Sequence, residues 1–306
     1  MLRRLTALVL IAAVLGLAAF WLLTAPHPLD AATLPAGYQP DIKNGARMFN
    51  AGGCASCHAK PDGDKCDNPH YSDHEHLGGG RCLKTPFGTF NVPNISSDKA
   101  DGIGAWTDLQ FVNAVTRGIA PSGEHYYPAF PYTSYQHMKP EDVLDLKAYL
   151  ASLPAVAGKA PPHDLPLPLR WRRMLGGWKL LNFEGRAFVA DDKHSPEWNL
   201  GAYLVEGPGH CGECHTPRDP LGGPRVSLHL AGSPNPEGKG WIPNITQAKQ
   251  GLAEWSKQDI AGYLGTGLLP SGDTVGGSMV AVQENMARLP PADRLAIAEY
   301  LKSLPP

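Results

Sequence analysis

The chain of 306 residues is long enough for two domains of ordinary size. Its formal net charge of −2 at pH 7 gives no sign of a nucleic-acid partner. With 34 glycines and 30 prolines, it is loop-rich for a globular protein.

The N-terminus carries an uncharged run, residues 5–24, that follows Arg3 and Arg4. Its length matches the roughly 20 residues that a helix needs to cross a bilayer core, whereas a secretory apolar region usually has about 7–15. The Ala-Pro-His-Pro at residues 25–28 is a poor cleavage site. The sequence therefore predicts an uncleaved anchor in residues 1–25, with a cleaved signal peptide as the alternative. The arginines stay on the cytoplasmic side, so in either case the rest of the chain faces the periplasm at a bacterial inner membrane.

Two further helices are predicted, and a short cysteine motif follows each of them. After a linker of residues 26–40, a helix over residues 41–50 leads into Cys-Ala-Ser-Cys-His at residues 54–58. A helix over residues 196–205 leads into Cys-Gly-Glu-Cys-His at residues 211–215. Both motifs read C-x-x-C-H, the attachment pattern of haem c.

The chemistry of haem attachment explains this spacing. Each thiol can bond to one vinyl group of the porphyrin, and the histidine that follows reaches the iron as an axial ligand. A zinc site or a redox C-x-x-C pair is the alternative, but two such motifs argue against it. We therefore predict two covalently bound haem c groups, attached through Cys54, Cys57, Cys211 and Cys214, with iron ligands His58 and His215. The large apolar haem would replace part of the side-chain core.

Residues 62–81 form an insert after the first motif that has no counterpart after the second. The insert is acidic and includes three histidines whose spacing fits no specific metal site, so we expect a solvated loop at a docking face. Cys66 and Cys82 are the two cysteines not assigned to haem. Because an even remainder in an oxidising compartment favours pairing, they are predicted to form a disulfide. The scattered His163, His194, His210 and His229 are predicted to be surface or linker residues.

Several strings recur at an offset of 149 or 150 residues, which indicates an internal repeat. In each copy Thr107 or Ser256 is a predicted N-cap of a middle helix. The terminal helix of the first copy is predicted to bury Val143, Leu146, Leu150 and Leu153, at helical spacing. The repeat predicts two haem-binding domains, residues 41–154 and residues 196–306.

A linker of residues 155–195 joins the two copies. It begins proline-rich and continues with apolar, basic and tryptophan residues, so it is expected to pack against one of the domains rather than float. Contact of its basic and tryptophan residues with a membrane surface is the alternative.

The second iron ligand of each haem decides between electron transfer and catalysis, because a transfer haem has both axial positions filled and a catalytic haem keeps one open. In the second copy Met279 lies between a Pro-Ser-Gly loop and the terminal helix and is the predicted ligand, with Met286 as its competitor.

The first copy departs from this pattern. The offset of 149 places Phe130 at the position of Met279, and phenylalanine cannot bind iron. Met138, which directly precedes the terminal helix, is the predicted ligand of the first haem. His125, His137 and an open iron are the alternatives.

Both copies resemble the cytochrome c subunits of bacterial membrane-bound dehydrogenases, such as alcohol or gluconate dehydrogenase. The strings that carry the resemblance lie at residues 84–90, 93–95, 102–106, 127–135 and 276–279. The resemblance covers most of the chain after about Asp41, although those subunits commonly carry three haems and this chain has two motifs. It implies a mainly α fold, with two tandem class I cytochrome c-like domains after an N-terminal transmembrane helix.

The resemblance also implies a function. Electrons would enter from a dehydrogenase and leave toward a quinone, a soluble cytochrome or a terminal oxidase. The expected protein is therefore an electron-transfer subunit without a catalytic residue of its own. A di-haem enzyme, of the peroxidase or thiosulfate-oxidising type, is the alternative, and Phe130 is the feature that favours it.

Overall fold

A computed structural model describes residues 2–63, 73–235 and 240–306. Its first helix, α1 (Leu2–Leu23), buries none of its residues against the rest of the protein. By length and composition α1 could cross a membrane, a property that signal sequences near an N-terminus share.

The same succession of elements occurs twice after α1. We refer to residues 41–154 as the first half and to residues 196–306 as the second half. The first half contains α2 (Ile42–Ala51), α3 (Cys54–His58), β1 (Cys82–Thr85), β2 (Gly88–Asn91), α4 (Asp108–Arg117), α5 (Tyr132–Tyr135) and α6 (Pro140–Ser152). The linker adds α7 (Leu167–Arg170) and α8 (Met174–Asn182). The second half contains α9 (Pro196–Glu206), α10 (Gly212–His215), β3 (Ser233–Pro234), β4 (Trp241–Ile242), α11 (Lys257–Thr266), α12 (Met279–Ala287) and α13 (Pro291–Ser303).

Helices dominate the described chain, which confirms the mainly α prediction. The strands form two antiparallel pairs, β1–β2 and β3–β4. Two short 3₁₀ helices, Ala31–Thr33 and Val226–Leu228, lie in the connecting segments. Loops and short helices therefore build much of the surface around the cysteine motifs.

The predicted helix starts are confirmed at their capping residues. The side chain of Asp41 accepts a hydrogen bond from the backbone of Lys43 at 2.8 Å and caps α2. Thr107 and Ser256 each form a capping box with the third residue of the helix that follows. These are local interactions, so the sequence alone specifies them.

The first and last helices of each half cross in backbone contact at a glycine. A Cβ atom on Gly45 of α2 would lie 2.0 Å from the carbonyl oxygen of Asp145 in α6. A Cβ atom on Gly201 of α9 would lie 1.9 Å from the carbonyl oxygen of Ala296 in α13. Any side chain at these positions would hold the crossing helices apart.

Replacing Gly45 or Gly201 by alanine is therefore expected to lower the free energy of unfolding by about 1–3 kcal/mol, as overpacking does. Gly262 is the matched control, because it lies inside α11 with open space where its Cβ would be. Its replacement by alanine is expected to stabilise the protein by about 0.5–1 kcal/mol through helix propensity. Denaturant unfolding followed by circular dichroism measures all three variants. Equal effects at the three glycines would contradict the close crossing.

One hydrophobic core runs through both halves. The terminal helix of the first half contributes Val143, Leu146 and Leu150, and Leu153 follows at its end; the predicted burial of all four is confirmed. The second half contributes residues such as Leu204 and Ile260 to the same cluster. The two halves therefore pack as one body rather than as separate units on a tether.

The linker packs against the first half, as predicted, and its anchor is the buried Lys179 of α8. The Lys179 ammonium donates to the carbonyl oxygens of Arg117 and Gly118 at 2.7 and 2.8 Å. These oxygens lie at the C-terminal end of α4, where unpaired carbonyls favour a cation. The same ammonium lies 4.5 Å from the ring centroid of Tyr132.

Candidate haem-attachment sites

The first cysteine motif lies on a single helical turn, α3. Gly53 precedes it in a left-handed conformation (φ 55°), which glycine adopts without strain. Because side chains three and four positions apart share one side of a helix, Cys57 and His58 project on the same side as Cys54. The second motif repeats this arrangement, with Cys211 as the helical residue that precedes α10.

Each motif histidine is oriented by a backbone carbonyl from a distant loop. The Nδ1 atom of His58 lies 2.9 Å from the carbonyl oxygen of Pro93, and that of His215 lies 2.7 Å from the carbonyl oxygen of Pro243. A carbonyl only accepts hydrogen bonds, so Nδ1 carries the proton and Nε2 keeps its lone pair for a metal. Burial lowers the pKa of His58 to about 4 and also lowers that of His215, which keeps both imidazoles neutral at pH 7.

Pro-Asn-Ile occurs at residues 93–95 and again at residues 243–245, as part of the repeat with an offset of 150, and the structure explains it. The side-chain oxygen of Asn94 accepts the backbone N–H of Ser96 at 2.8 Å, and that of Asn244 accepts the backbone N–H of Thr246 at 2.7 Å. Both asparagines are buried. Each one closes a turn that holds the preceding proline carbonyl against the motif histidine. The repeat was visible in the sequence, but its role was not.

None of the four motif cysteines is disulfide-bonded. Burial raises the pKa of Cys54 and of Cys211 to about 12, whereas a redox-active C-x-x-C pair depends on a lowered thiol pKa. Within the three described ranges of the chain, no group of three or more His, Cys, Asp or Glu residues could hold a metal ion. Two thiols beside a neutral, oriented imidazole fit covalent haem c and disfavour the zinc and redox alternatives.

The predicted distal ligand of the second haem, Met279, is the first residue of α12. It is partly buried and packs against the common core. Its competitor Met286 is buried two helical turns further along α12, on the same face of the helix. Both methionines therefore lie on the helix that precedes the terminal helix α13.

Met138 is buried directly before α6 and lines a cavity of about 180 Å³. Val112 and Thr116 of α4 and Gly185 of the linker form other walls of this cavity. Phe130, at the position equivalent to Met279, packs edge-on against Tyr135 with ring centroids 5.6 Å apart.

Of the two histidine alternatives, His125 has its ring bonded to another group, and His137 is bonded through its backbone. The Nε2 atom of the buried His125 lies 2.9 Å from the carbonyl oxygen of Thr24, just after the end of α1. The backbone carbonyl of His137 accepts the N–H of Phe188 from the linker at 3.1 Å. The contact with Thr24 holds the His125 ring at the junction with α1.

The insert is partly described. Cys82 opens β1 and is disulfide-bonded. Cys66, its predicted partner, lies outside the described residues, so the pairing stays a prediction. The Nδ1 atom of His76 lies 2.6 Å from the Asp73 carboxylate.

Each cysteine motif contacts the other half at equivalent positions. The hydroxyl of Ser56, inside the first motif, accepts a hydrogen bond from Asn285 of α12 at 2.8 Å. Glu213, at the same position of the second motif, accepts hydrogen bonds from Thr133 and Ser134 at 2.7 and 3.0 Å. The two motifs thus meet the segments that precede the terminal helices of the opposite halves.

The helices beside the motifs exchange contacts in the same reciprocal way. Arg47 of α2 donates two hydrogen bonds to Asp293 in the first turn of α13, at 2.6 and 3.0 Å. Tyr203 of α9 bonds to Asp142 in the first turn of α6. A bidentate arginine–carboxylate pair of this kind fixes both distance and orientation.

Replacing Asp293 by alanine is expected to lower the free energy of unfolding by about 1.5–3 kcal/mol, because Arg47 loses two charge-assisted hydrogen bonds between the halves. Lys257→Ala is the matched control, since it breaks the more exposed Lys257–Glu299 pair within the second half. That change should cost less than about 1 kcal/mol. Denaturant unfolding compares the two variants, and a larger loss in Lys257→Ala would contradict the bridging role of Asp293.

Tyr135 of α5 touches both motif segments. Its hydroxyl donates to the carbonyl oxygen of Gly52, two residues before Cys54, at 3.3 Å. Its ring packs edge-on against His210, which directly precedes Cys211, with ring centroids 5.5 Å apart. Tyr135 is buried, and His210 has a left-handed backbone (φ 40°) that is unusual for a residue other than glycine. Sequence reasoning treated His210 as a surface or linker residue, whereas it lies between the halves.

His229 also has a defined partner. Its Nε2 atom pairs with Glu206 at the end of α9 at 2.9 Å, and Tyr300 of α13 donates to the same carboxylate at 2.7 Å. The pair with Glu206 raises the pKa of His229 against the lowering effect of burial. This network ties the loop after the second motif to α9 and α13.

Comparison with known proteins gives a consistent result. The cytochrome c family model matches residues 42–154. A diheme cytochrome c-type protein of Cereibacter sphaeroides is 49% identical over 303 residues, which cover 99% of this chain and 98% of that protein. The fructose dehydrogenase cytochrome subunit of Gluconobacter japonicus is 38% identical over 92% of this chain. The gluconate 2-dehydrogenase cytochrome c subunit of Pantoea cypripedii is 34% identical over 86% of it. This chain spans 55% and 59% of the lengths of the two dehydrogenase subunits.

Proposed function

Because this chain belongs to the diheme cytochromes c, with haem c bound covalently, we propose that it relays electrons from a periplasmic dehydrogenase to the respiratory chain. Residues 41–154 and 196–306 are its two tandem class I cytochrome c domains. The haem groups supply reversible one-electron chemistry. The observation that carries the proposal is the packing of both cysteine motifs into one interface, where Tyr135 contacts the segments on either side.

The residues of the chain have distinct roles in this relay. The two cofactors would be held by Cys54, Cys57, Cys211 and Cys214, and His58 and His215 would be iron ligands. The carbonyls of Pro93 and Pro243 fix the tautomer of these histidines and raise their strength as ligands. The exchanged contacts of Ser56 and Glu213 keep the two motifs at a constant separation.

Met279 and Met138 are proposed as the distal ligands. A thioether opposite histidine raises the potential and closes the iron to small molecules, which suits transfer. Met48, the other methionine of the first half, is buried on α2 before the motif. The bond of His125 to Thr24 disfavours His125 as the ligand of the first haem.

The donor is proposed from the relatives. Those from Gluconobacter and Pantoea are named as cytochrome subunits of fructose and gluconate 2-dehydrogenase. Their shared class favours a membrane-associated dehydrogenase as the electron donor of this chain. The acceptor is a quinone, a soluble cytochrome or a terminal oxidase.

Residues 1–25 are proposed to remain on the protein as an anchor in the bacterial inner membrane, with the body on the periplasmic side. Thr24, directly after α1, is buried against the body and bonds to His125. Cleavage at residues 25–28 would discard this contact. This contact between Thr24, at the end of α1, and the body favours an anchor that stays on the protein over a signal peptide that is removed.

The functional test is substrate-dependent respiration in membranes that lack this chain. Oxygen uptake with at least one sugar, alcohol or aldonic acid is expected to be lost. Wild-type protein should restore it, and a chain with Cys211→Ser and Cys214→Ser should not, because the second cofactor would be missing. Unchanged respiration on every substrate of these classes would contradict the dehydrogenase relay.

A further inference from the structure

The linker helices carry large apolar side chains that face away from the body. We name this set the α7–α8 surface; it comprises Leu167, Trp171, Met174, Leu180 and Leu181, all of them exposed. Leu167 is 78% exposed and Leu181 is 75% exposed. Burying one such side chain is worth about 1.5–3 kcal/mol, so leaving five of them in water is costly. Apolar surface of this kind marks a contact with a partner or a membrane.

The place of α8 relative to α1 is fixed by direct contacts. The guanidinium of Arg173 lies 4.2 Å from the ring centroid of Trp21 and bonds to the Trp21 carbonyl. Its Nε atom donates to the hydroxyl of Thr24 at 3.1 Å. A Cβ atom on Gly176 would lie 2.2 Å from the Thr24 carbonyl oxygen, so the two backbones touch. Whatever depth the last turn of α1 takes in a membrane, the start of α8 shares it.

The composition of α8 also distinguishes it from a water-facing helix. Its inward side is buried through Leu175, Gly176 and Lys179, and its outward side carries Met174 and Leu181. A surface helix of a soluble protein has a polar outer face, whereas the outer face of this helix is apolar. Its one charged residue, Lys179, points inward to the end of α4.

The charge of the segment favours an anionic surface. Residues 165–183 contain three arginines and no acidic residue, and their one lysine, Lys179, is buried and points inward. Arg170 is exposed beside Trp171. Tryptophan and arginine side by side are typical of the boundary between acyl chains and head groups. Basic residues near that boundary are attracted to anionic phospholipids.

We propose that the α7–α8 surface lies in the lipid interface of the same bilayer that α1 crosses, as a second contact that does not span the membrane. This inference rests on the proposed anchor role of residues 1–25. Two contacts, a spanning helix and an interfacial one, hold the body at a fixed tilt. The cysteine motifs then keep a constant height above the membrane. The competing explanation is that a dehydrogenase subunit covers the α7–α8 surface.

The test uses the full holoprotein in vesicles of phosphatidylethanolamine and phosphatidylglycerol that contain a phospholipid with a photoactivatable acyl chain. Lipid adducts are mapped by mass spectrometry of peptides. Adducts are expected on α1 and on peptides with Trp171 and Leu181, and none on the peptide with Leu268, an exposed leucine of the second half. The double variant Leu180→Glu, Leu181→Glu should lose the α8 adducts and keep those on α1. Leu268→Glu, the matched control, should keep both.

The possible results of this experiment distinguish a failure of the interfacial contact from a failure of the proposed anchor. Adducts on α1 with none on α8 would overturn the interfacial contact and leave the anchor intact. Adducts on α8 in a mature chain that starts near residue 26 would remove the anchor and support the interfacial contact. In native membranes that contain the same photoactivatable phospholipid, loss of the α8 adducts with the α1 adducts kept would show that a protein covers the surface and would overturn the proposal. Haem absorption spectra confirm that each variant is folded.

Discussion

A chain in which Cys211 and Cys214 are both serine is expected to carry one covalent haem, held by Cys54 and Cys57. Thioether bonds need the thiols, and His215 alone cannot keep the cofactor through denaturation. The second half should also lose the apolar body around which its loops pack, so its unfolding temperature should fall. Mass spectrometry of the denatured protein counts the remaining haem.

Two further variants make this prediction specific. Cys54→Ser with Cys57→Ser should again leave one haem, now on the second motif. Cys82→Ser, the matched control, should keep two, because Cys82 is disulfide-bonded and not a member of either motif. Loss of a haem from Cys82→Ser would contradict the assignment of the cysteines.

Met279→Ala is expected to open one iron to carbon monoxide and to lower the potential of that haem alone. A methionine thioether raises the potential and blocks small ligands, so its removal reverses both effects. The reduced wild-type protein should bind no carbon monoxide and turn over no peroxide, because the proposed ligands would fill both axial positions of each iron. Redox titration and carbon monoxide difference spectra measure these properties.

Met138→Ala should have the same effects on the first haem. Phe130→Leu is the matched control, because it changes the position equivalent to Met279 without removing a donor atom, and it should leave both potentials close to those of the wild type. If Met138→Ala leaves the potentials and the sulfur-to-iron absorption intact, the ligand of the first haem lies elsewhere. Carbon monoxide binding by the wild type would favour the alternative of a di-haem enzyme.

The local part of this fold was readable from the sequence. Asp41, Thr107 and Ser256 cap helices because a short polar side chain reaches a backbone N–H two or three residues away. The buried face of α6 follows from helical spacing of Val143, Leu146 and Leu150. The C-x-x-C-H motifs carry their chemistry in the spacing itself.

The contacts between the halves could not be predicted from the sequence. They join residues of common types that are far apart in the chain. Ser56 and Asn285 are 229 residues apart in sequence. Ser56 lies inside the first cysteine motif, but the C-x-x-C-H pattern leaves the residue type at its position open. The sequence distinguishes Tyr135 only as a member of residues 127–135, which carry part of the resemblance. The Pro93 carbonyl had a signal, the repeated Pro-Asn-Ile, but a backbone acceptor leaves no trace in side-chain chemistry.

The central claim is that one chain holds two covalent haem groups, and the mass of the denatured mature protein tests it most directly. Denaturation releases any cofactor held by iron ligands alone and keeps those held by thioether bonds. The account predicts a mass equal to the polypeptide plus two haem groups, with one haem on each of the peptides that contain residues 54–58 and 211–215. A fully matured chain with one haem or none would contradict it.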